Sequence, residues 1–259
     1  TQSGILYQNS IAALFLGRLC DVTLRPDSER AMHVRVEAPD SVDDIVVTFA
    51  DNHKTFIQAK EDLRLNDSPW KKLWMDFVQQ YQSEKFQKGI DRLALWIGSS
   101  RMALDELHEL CQRASSSNSF DEWQSSLNMS QKRLQEKIKP LLSPELLEES
   151  SLLTFFKHID IEIHPQHRLE RDESLYWMPA TNIAPKTLFR VLRDRVGGAS
   201  RIRGEFSSIQ LRNSLTDENH TLIFSKPTDI EEIRDSLRAC NSLLHQHKRT
   251  IGNTDIHIP

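Results

Sequence analysis

The chain has 259 residues, enough for one large domain or two small ones. Hydrophobic residues make up 38% and charged residues 27%, which is the composition of an ordinary soluble globular protein. The formal net charge of −4 excludes a general nucleic-acid binder. Contact with DNA would need a local basic face, a divalent metal, or an oligomer that repeats weak contacts.

The sequence lacks the short motifs that are typical of several further classes of protein. The longest purely apolar run, Ile11–Leu16, is far shorter than the about 20 residues of a membrane span, so we expect no membrane contact. Cys20, Cys111 and Cys240 are scattered and form no CxxC motif, which favours a reducing, cytoplasmic location. No GxxxxGK[ST] or GxGxxG motif occurs, so neither a P-loop NTPase nor a Rossmann protein is expected.

The first 115 residues predict an α/β core. Apolar residues that recur with the helical period indicate helices, whereas alternation or short apolar runs indicate strands. The predicted elements are a helix over 4–19, strands over 32–37, 44–49 and 55–60, a helix over 68–81, a strand over 92–98 and a helix over 102–113. This order is typical of a mixed sheet flanked by helices.

The rest of the chain is predicted to be mainly helical. The run ASSSNS at 114–119 is typical of a linker. The elements predicted after it are helices over 131–139 and from Ser143-Pro144, a strand over 156–164, and helices over 185–196 and 229–248. We therefore divide the chain into a core, residues 1–115, and an extension, residues 116–259, which completes the module and leads to a domain outside this sequence.

Carboxylates and a lysine are predicted to meet at the end of a hairpin. If Asp51-Asn52 is the turn between the second and third strands, the Asp43-Asp44 pair lies beside Gln58 and Lys60. Gln58 and Lys60 are two residues apart, so their side chains share one face of the sheet. A two-residue loop places Asp43 opposite Lys60, and a three-residue loop places Asp44 there, so both registers stay open.

Such a cluster has the groups that metal-dependent phosphodiester hydrolysis needs. Carboxylate oxygens suit Mg²⁺, and the amide oxygen of Gln58 can add a neutral ligand. A bound metal would polarise a phosphate and activate a water, while Lys60 would orient that water and stabilise developing charge. Taken one at a time, these residues are ordinary surface charges at strand ends, and only their spacing favours a site.

The motifs resemble those of a known superfamily. GxxYQ at 4–8, VE at 36–37, DD at 43–44 and IQAK at 57–60 resemble the PD-(D/E)xK, restriction-endonuclease-like nucleases, in the Mrr-like branch that has QxK. Gln8 stands where the first helix of that branch carries an acid. The combination is most similar to effector nuclease domains of bacterial antiphage systems, as in CBASS effectors and antiviral STAND NTPases.

The resemblance implies roles for each residue. Asp43 or Asp44 would be the metal aspartate, Gln58 and Lys60 would form the QxK motif, and Glu37 would supply the carboxylate that the first helix lacks. It implies a restriction-endonuclease-like mixed sheet that uses Mg²⁺ or Mn²⁺. The implied activity is a DNA endonuclease that oligomerises when active and is joined to a downstream sensor or NTPase domain.

A basic stretch over 186–204 is the candidate contact for double-stranded DNA. Its arginines include Arg190, Arg193, Arg201 and Arg203, which could position phosphates without reading sequence. The alternative is a solvated helix face or a surface for an acidic partner.

Other side chains are better explained by packing or solvation. The HPQH and HQH histidines lack cysteines at zinc-finger spacing. Trp70, Trp74 and Phe77 have the spacing of a helix packing stripe, so they are predicted to be core residues.

Two hypotheses follow from the sequence. The first is a Mg²⁺-dependent deoxyribonuclease that acts as the effector module of an antiphage protein. The alternative is a catalytically inactive, nuclease-like module for binding or assembly. Plasmid degradation with Mg²⁺ or EDTA, by the wild type and by Lys60→Ala, separates the two.

Overall fold

A six-stranded mixed sheet organises the protein. The computed structural model describes residues 2–21, 25–42, 44–99, 101–200, 202 and 204–223. The strands are β1 (Ala31–Val36), β2 (Ile45–Phe49), β3 (Lys54–Lys60), β4 (Arg92–Ile97), β5 (Ile159–Ile163) and β6 (Glu205–Ser207). Their order in the sheet is β5-β4-β3-β2-β1-β6. Strand β1 pairs antiparallel with β6 and with β2, and β2 pairs antiparallel with β3. Strands β3, β4 and β5 run parallel to one another.

Helices flank this sheet. The α-helices are α1 (Gln2–Cys20), α2 (Ser68–Gln82), α3 (Met102–Ser116), α4 (Phe120–Ser126), α5 (Met129–Ile138), α6 (Glu149–Lys157), α7 (Gln166–Arg168), α8 (Ser174–Trp177), α9 (Pro185–Ser200) and α10 (Ser208–Asp217). Short 3₁₀ turns occupy Lys139–Leu141 and Pro144–Leu146, and a π-helical turn occupies Leu169–Glu173. None of the helices described is long and apolar enough to cross a lipid bilayer.

The core consists of two apolar layers, one on each side of the sheet. One layer includes Trp70, Trp74 and Phe77 of α2, which are all but fully buried and stack edge-on along the helix. This confirms the prediction that they form a packing stripe. The other layer joins α1 and α9, with Leu14 and Phe189 fully buried within it. Burial of both layers fixes which face each strand residue takes.

The predicted α/β class is confirmed, and the differences from prediction are local. The predicted strand over 156–164 begins only at Ile159, because Phe155 and Phe156 lie in the last turn of α6 and fill the core beside Trp74. Of the predicted linker over 114–119, residues 114–116 belong to the last turn of α3, and only residues 117–119 connect α3 to α4.

The later part of the chain contributes to the sheet of the earlier part. β5 and β6 join it at opposite edges, and the predicted boundary after residue 115 lies within one compact unit, Thr1–Leu222. The predicted helix over 229–248 lies outside the described residues.

Candidate functional site

The β2–β3 hairpin positions the predicted site. Its strands pair Ile45 with Ile57 and Thr48 with Lys54, so the loop between them is longer than a two-residue turn. Asn52 takes the left-handed conformation, with φ of 70°, that a tight turn requires and that asparagine tolerates. This register differs from both predicted ones, since it aligns Asp44 with Gln58. Asp43 lies outside the described residues.

The carboxylate of Asp44 is held by three donors. Its Oδ2 atom accepts hydrogen bonds from the Gln58 side-chain amide, from the Ala59 backbone N–H at 2.8 Å and from the Lys60 ammonium at 3.2 Å. Asp44 is only 8% exposed. A buried carboxylate needs such donors, because an unpaired buried charge is strongly unfavourable. Asp44 is therefore a structural anchor between the two strands.

Helix α1 reaches the same cluster through Gln8. The Gln8 amide donates to Glu37 Oε1 at 2.7 Å and to the backbone oxygen of Asp44 at 3.4 Å. Glu37 follows β1 with a φ of 49°, a conformation that is uncommon for a residue other than glycine. The structure thus brings together Gln8, Glu37, Asp44, Gln58 and Lys60, which we call the Asp44 cluster.

An open cleft adjoins this cluster, and we call it the Lys60 cleft. Its volume is about 560 Å³, and it lies between the start of α1, the end of β3 and the start of α2. Its lining residues are Gly4, Ile5, Gln8, Ala59, Lys60, Glu61, Asp62, Ser68, Pro69, Lys72, Leu73 and Asp76. The volume falls within the range of about 300–1,000 Å³ that small-molecule sites span.

Carboxylates outnumber cations along this lining. Lys72 contacts Asp76 at 2.5 Å. Asp62 accepts hydrogen bonds from Ser99 at 2.9 Å and from Arg101 at 2.8 and 2.9 Å. The hydrogen bond from Ser99 and then the charge of Arg101 lower the pKa of Asp62, so it stays ionised. An anionic ligand would therefore need a cation in addition to Lys60.

The sequence did not single out this lining. Ser68 and Lys72 lie on a helix, and only the packing of α2 beside β3 brings them to the cluster. The backbone N–H of Ala59 was also missed, because hydrogen-bonding backbone groups leave no mark in a sequence.

The oxygen atoms of the Asp44 cluster fit a hard cation. Gln58 Oε1 is buried and accepts no hydrogen bond within the described part of the chain, so it is a ready neutral ligand. The carboxylates of Glu37 and Asp44 are the available charged ligands. Mg²⁺ commonly takes one or two carboxylates and keeps several waters. No group of three or more His, Cys, Asp or Glu side chains that could hold a metal occurs among the residues described.

The cations of α9 gather around one carboxylate. Glu170 accepts a hydrogen bond from Arg190 Nε at 2.6 Å and lies 3.4 Å from Arg193 and 3.8 Å from Lys186. Burial by itself raises the pKa of Glu170, but the hydrogen bond and charge of Arg190, followed by the other cations, outweigh it and lower that pKa. Arg201 and Arg203 lie outside the described residues.

Comparisons with known proteins link this fold to receptors. No family model and no curated protein matches the chain. A solved structure of the Acinetobacter baumannii Cap4 SAVED/CARF-domain containing receptor with the cyclic trinucleotide 3′3′3′-cAAA is 14% identical, with a TM-score of 0.50. The match covers 83% of this chain and 45% of the receptor chain.

Two further structures of the same receptor match the chain to a similar extent. The complex with 2′3′3′-cAAA has a TM-score of 0.51, 14% identity, and coverage of 83% of this chain and 46% of that one. The receptor described without a cyclic nucleotide has a TM-score of 0.50, 13% identity, and coverage of 83% and 47%. The chain therefore spans less than half the length of the receptors it matches, and the likeness is one of fold.

These findings correct the nuclease assignment. The predicted PD-(D/E)xK effector nuclease, with its Mg²⁺-dependent deoxyribonuclease activity and double-stranded DNA substrate, is wrong, since the structures that share the fold are cyclic-trinucleotide receptors. In the structure Asp44 is engaged by Gln58, Ala59 and Lys60, and the roles predicted for these motif residues stay predictions. Arg190 and Arg193, two of the predicted DNA-facing arginines, are paired with Glu170, and their predicted role stays a prediction.

Proposed function

We propose that this chain is a binding or assembly module of a cyclic-oligonucleotide receptor. In this proposal the chain does not cut DNA, and its nuclease-like sheet serves as a scaffold for recognition. The fold likeness to receptors solved with cyclic trinucleotides supports this assignment.

The observation that carries the proposal is the Lys60 cleft. It is open, it has the volume of a small-molecule site, and it adjoins Lys60, the cation of the Asp44 cluster. Lys60 is 32% exposed at its side chain, so it can contact a ligand while it keeps its contact with Asp44. Ser68 and Lys72, at the start of α2, offer further donors to a phosphate.

A divalent cation would lie beside this cleft, in the Asp44 cluster. Glu37, Asp44 and Gln58, which do not themselves line the cleft, would hold Mg²⁺ or Mn²⁺, whose charge would offset Glu61, Asp62 and Asp76 of the lining and attract a phosphate group. Gln58 would contribute Oε1, a buried oxygen that receives no hydrogen bond from the described residues. Gln8 would orient Glu37 through its hydrogen bond.

The wider setting of the proposal is bacterial antiphage defence. A module that recognises a cyclic oligonucleotide would act in the cytoplasm, together with a downstream sensor or NTPase domain. Homo-oligomers would form on activation, because assembly multiplies individually weak contacts.

The α9 cations form a second candidate surface for the same ligand. Lys186, Arg190 and Arg193 outnumber Glu170, and Arg190 is 53% exposed at its side chain. A phosphate could replace one of the contacts to Glu170. This alternative predicts that binding depends on Arg190 and is independent of Lys60.

Calorimetric titration of the chain with 3′3′3′-cAAA tests the proposal, with linear tri-adenylate as the matched ligand control. The variants are Lys60→Met for the cleft, Arg190→Gln for α9, and Lys132→Gln as an exposed cation on α5 far from both in sequence. We expect saturable binding in Mg²⁺ that EDTA weakens, and a loss of about tenfold for Lys60→Met. Lys132→Gln should bind as the wild type does.

Two outcomes would overturn the proposal. The first is the absence of binding and of any change in oligomeric state with cyclic trinucleotides. The second is degradation of plasmid DNA by the chain in Mg²⁺ that EDTA abolishes. Dependence on Arg190 alone would move the ligand to α9 and reject the cleft.

A further inference from the structure

A second polar cleft lies on the sheet, away from the Asp44 cluster. His33 and Arg35 are two residues apart on β1, so they share a face. The register aligns His33 with Thr48 and Thr48 with Lys54 across three strands. These side chains line a cleft of about 160 Å³, which we call the Arg35 cleft. Its other lining residues are Asp40, Val46, Phe56, Lys85 and Glu205.

Cations outnumber carboxylates in this cleft, with Arg35, Lys54 and Lys85 against Asp40 and Glu205. Lys85 lies 2.7 Å from Asp40, and His33 lies 3.4 Å from Glu205, so both carboxylates of the lining are engaged. Arg35 and Lys54 form no side-chain hydrogen bond or ion pair with any residue that the structure describes. The chain as a whole has a formal net charge of −4, whereas the charge in this cleft is positive.

Arg35 is held in an unusual state. Its Nε atom is buried and has no hydrogen-bond partner among the described residues. Buried N–H groups are almost always hydrogen-bonded, and an orphaned one on a charged group is costly. The apolar floor of Val46 and Phe56, both at least nine-tenths buried, supplies no acceptor. An acceptor for this guanidinium is therefore missing from the residues that the structure describes.

The cleft fits one small oxyanion. Guanidinium N–H groups bind phosphate and carboxylate oxygens in a forked geometry, and an ammonium adds a point charge. Arg35, Lys54 and the hydroxyl of Thr48 converge on the cleft from three strands. Its volume is below the about 300 Å³ at which ordinary small-molecule sites begin. We propose that the Arg35 cleft binds a single phosphate group.

This inference does not rest on the proposed function. The Arg35 cleft and the Lys60 cleft share no lining residue, so one can be occupied without the other. Free inorganic phosphate and a terminal phosphate of a nucleotide have the same chemistry here, and the experiment separates them.

Inorganic phosphate is the first probe. We would follow the thermal unfolding midpoint of the full chain against phosphate concentration, with potassium chloride at matched ionic strength as reference. Adenosine monophosphate forms the second arm. The variants are Arg35→Gln and Lys54→Gln, and Lys132→Gln of α5 is the matched control, since it also removes one positive charge.

The expected result is a saturable rise of the midpoint in phosphate that chloride does not reproduce. Arg35→Gln and Lys54→Gln should each weaken the apparent affinity by about tenfold, because each removes a charged donor, and Lys132→Gln should leave it unchanged. If adenosine monophosphate raises the unfolding midpoint as strongly as phosphate does, the site binds the phosphate of a nucleotide. If adenosine monophosphate has no effect, the site binds free phosphate. If Arg35→Gln does not fold, Lys54→Gln carries the test alone.

Equal effects of phosphate and chloride would overturn the inference. So would an affinity in Lys54→Gln that equals that of the wild type. An equal loss in all three variants would also overturn it, because that would indicate general attraction to charge without a site.

Discussion

The Asp44 cluster and the Arg35 cleft both lie on β1–β3, yet they differ in how their charges are satisfied. Asp44 is surrounded by donors of its own chain, two from side chains and one from the backbone. Arg35 has a buried N–H that finds no acceptor in the part of the chain that the structure describes. The first arrangement satisfies its central carboxylate with donors of the same chain, whereas the second leaves a charged group short of an acceptor among the described residues. Buried polar groups without partners are thus a better sign of a missing ligand than a motif whose members bind one another.

The strongest test of this contrast is Asp44→Ala. It leaves the Ala59 N–H, the Gln58 amide and Lys60 without their shared acceptor, so we expect the free energy of unfolding to fall by about 3 kcal/mol. Asp44→Asn keeps an acceptor and should cost less. Urea denaturation measures both. A loss below about 1 kcal/mol for Asp44→Ala would mean that the cluster does not anchor the hairpin.

Lys60→Met should have a smaller effect on stability. The side chain is about one-third exposed, so solvent screens its contact with Asp44, and two other donors remain. We expect a loss of about 1 kcal/mol or less in the same urea experiment. A loss as large as that of Asp44→Ala would instead indicate that the ammonium dominates the cluster.

The same contrast between satisfied and unsatisfied charge applies to the two histidines that flank β5. His164 lies 3.2 Å from both Glu162 and Glu173, and the hydrogen bond to Glu162 contributes most to raising its pKa. His158 packs against Tyr81 and Phe86, and burial lowers its pKa.

Their pH dependence should therefore have opposite signs. The stabilisation from protonated His164 is fully present below the unfolded pKa of about 6.5 and is lost as the pH rises through the raised value. Below about pH 6.5 the unfolded chain protonates His158, whereas the folded protein keeps it neutral. The fold therefore loses stability as the pH falls through this range. His164→Gln should reduce the free energy of unfolding more at about pH 5.5 than at about pH 8. His158→Gln should reduce it less at about pH 5.5 than at about pH 8. Urea titrations at both values check the signs, and equal costs at both pH values would contradict them.

The smallest effect is expected for Arg35→Met without phosphate. Methionine keeps an apolar stem over Val46 and Phe56 and removes the orphaned N–H. Removal of the costly orphaned N–H and loss of part of the long side chain's packing oppose each other, so the free energy of unfolding should change by less than about 0.5 kcal/mol in either direction. A loss of several times that amount would show that Arg35 has an internal partner and would weaken the contrast with Asp44.

The sequence predicted much of the Asp44 cluster for a local reason. A strand has a side-chain period of two, so Gln58 and Lys60 must share a face wherever β3 lies. The hairpin then brought Asp44, which directly precedes β2, to them. The register itself depended on the loop, and the pairing of Asp44 with Gln58 followed from the burial of Ile45 and Ile57. The resemblance of the motifs to nucleases did not extend to function. A short motif gives the spacing of its residues, but it does not show which of them form hydrogen bonds with each other.

By itself, the sequence determined the α/β class, the faces of the strands and the core stripe of Trp70, Trp74 and Phe77, because these follow from local periodicity. Only the tertiary structure decided the joining of β5 and β6 to the two sheet edges and the position of α2 beside Lys60. It also decided the meeting of Arg35 with Lys54. Those contacts join residues far apart in sequence, and the burial of two apolar layers selects them from many alternatives.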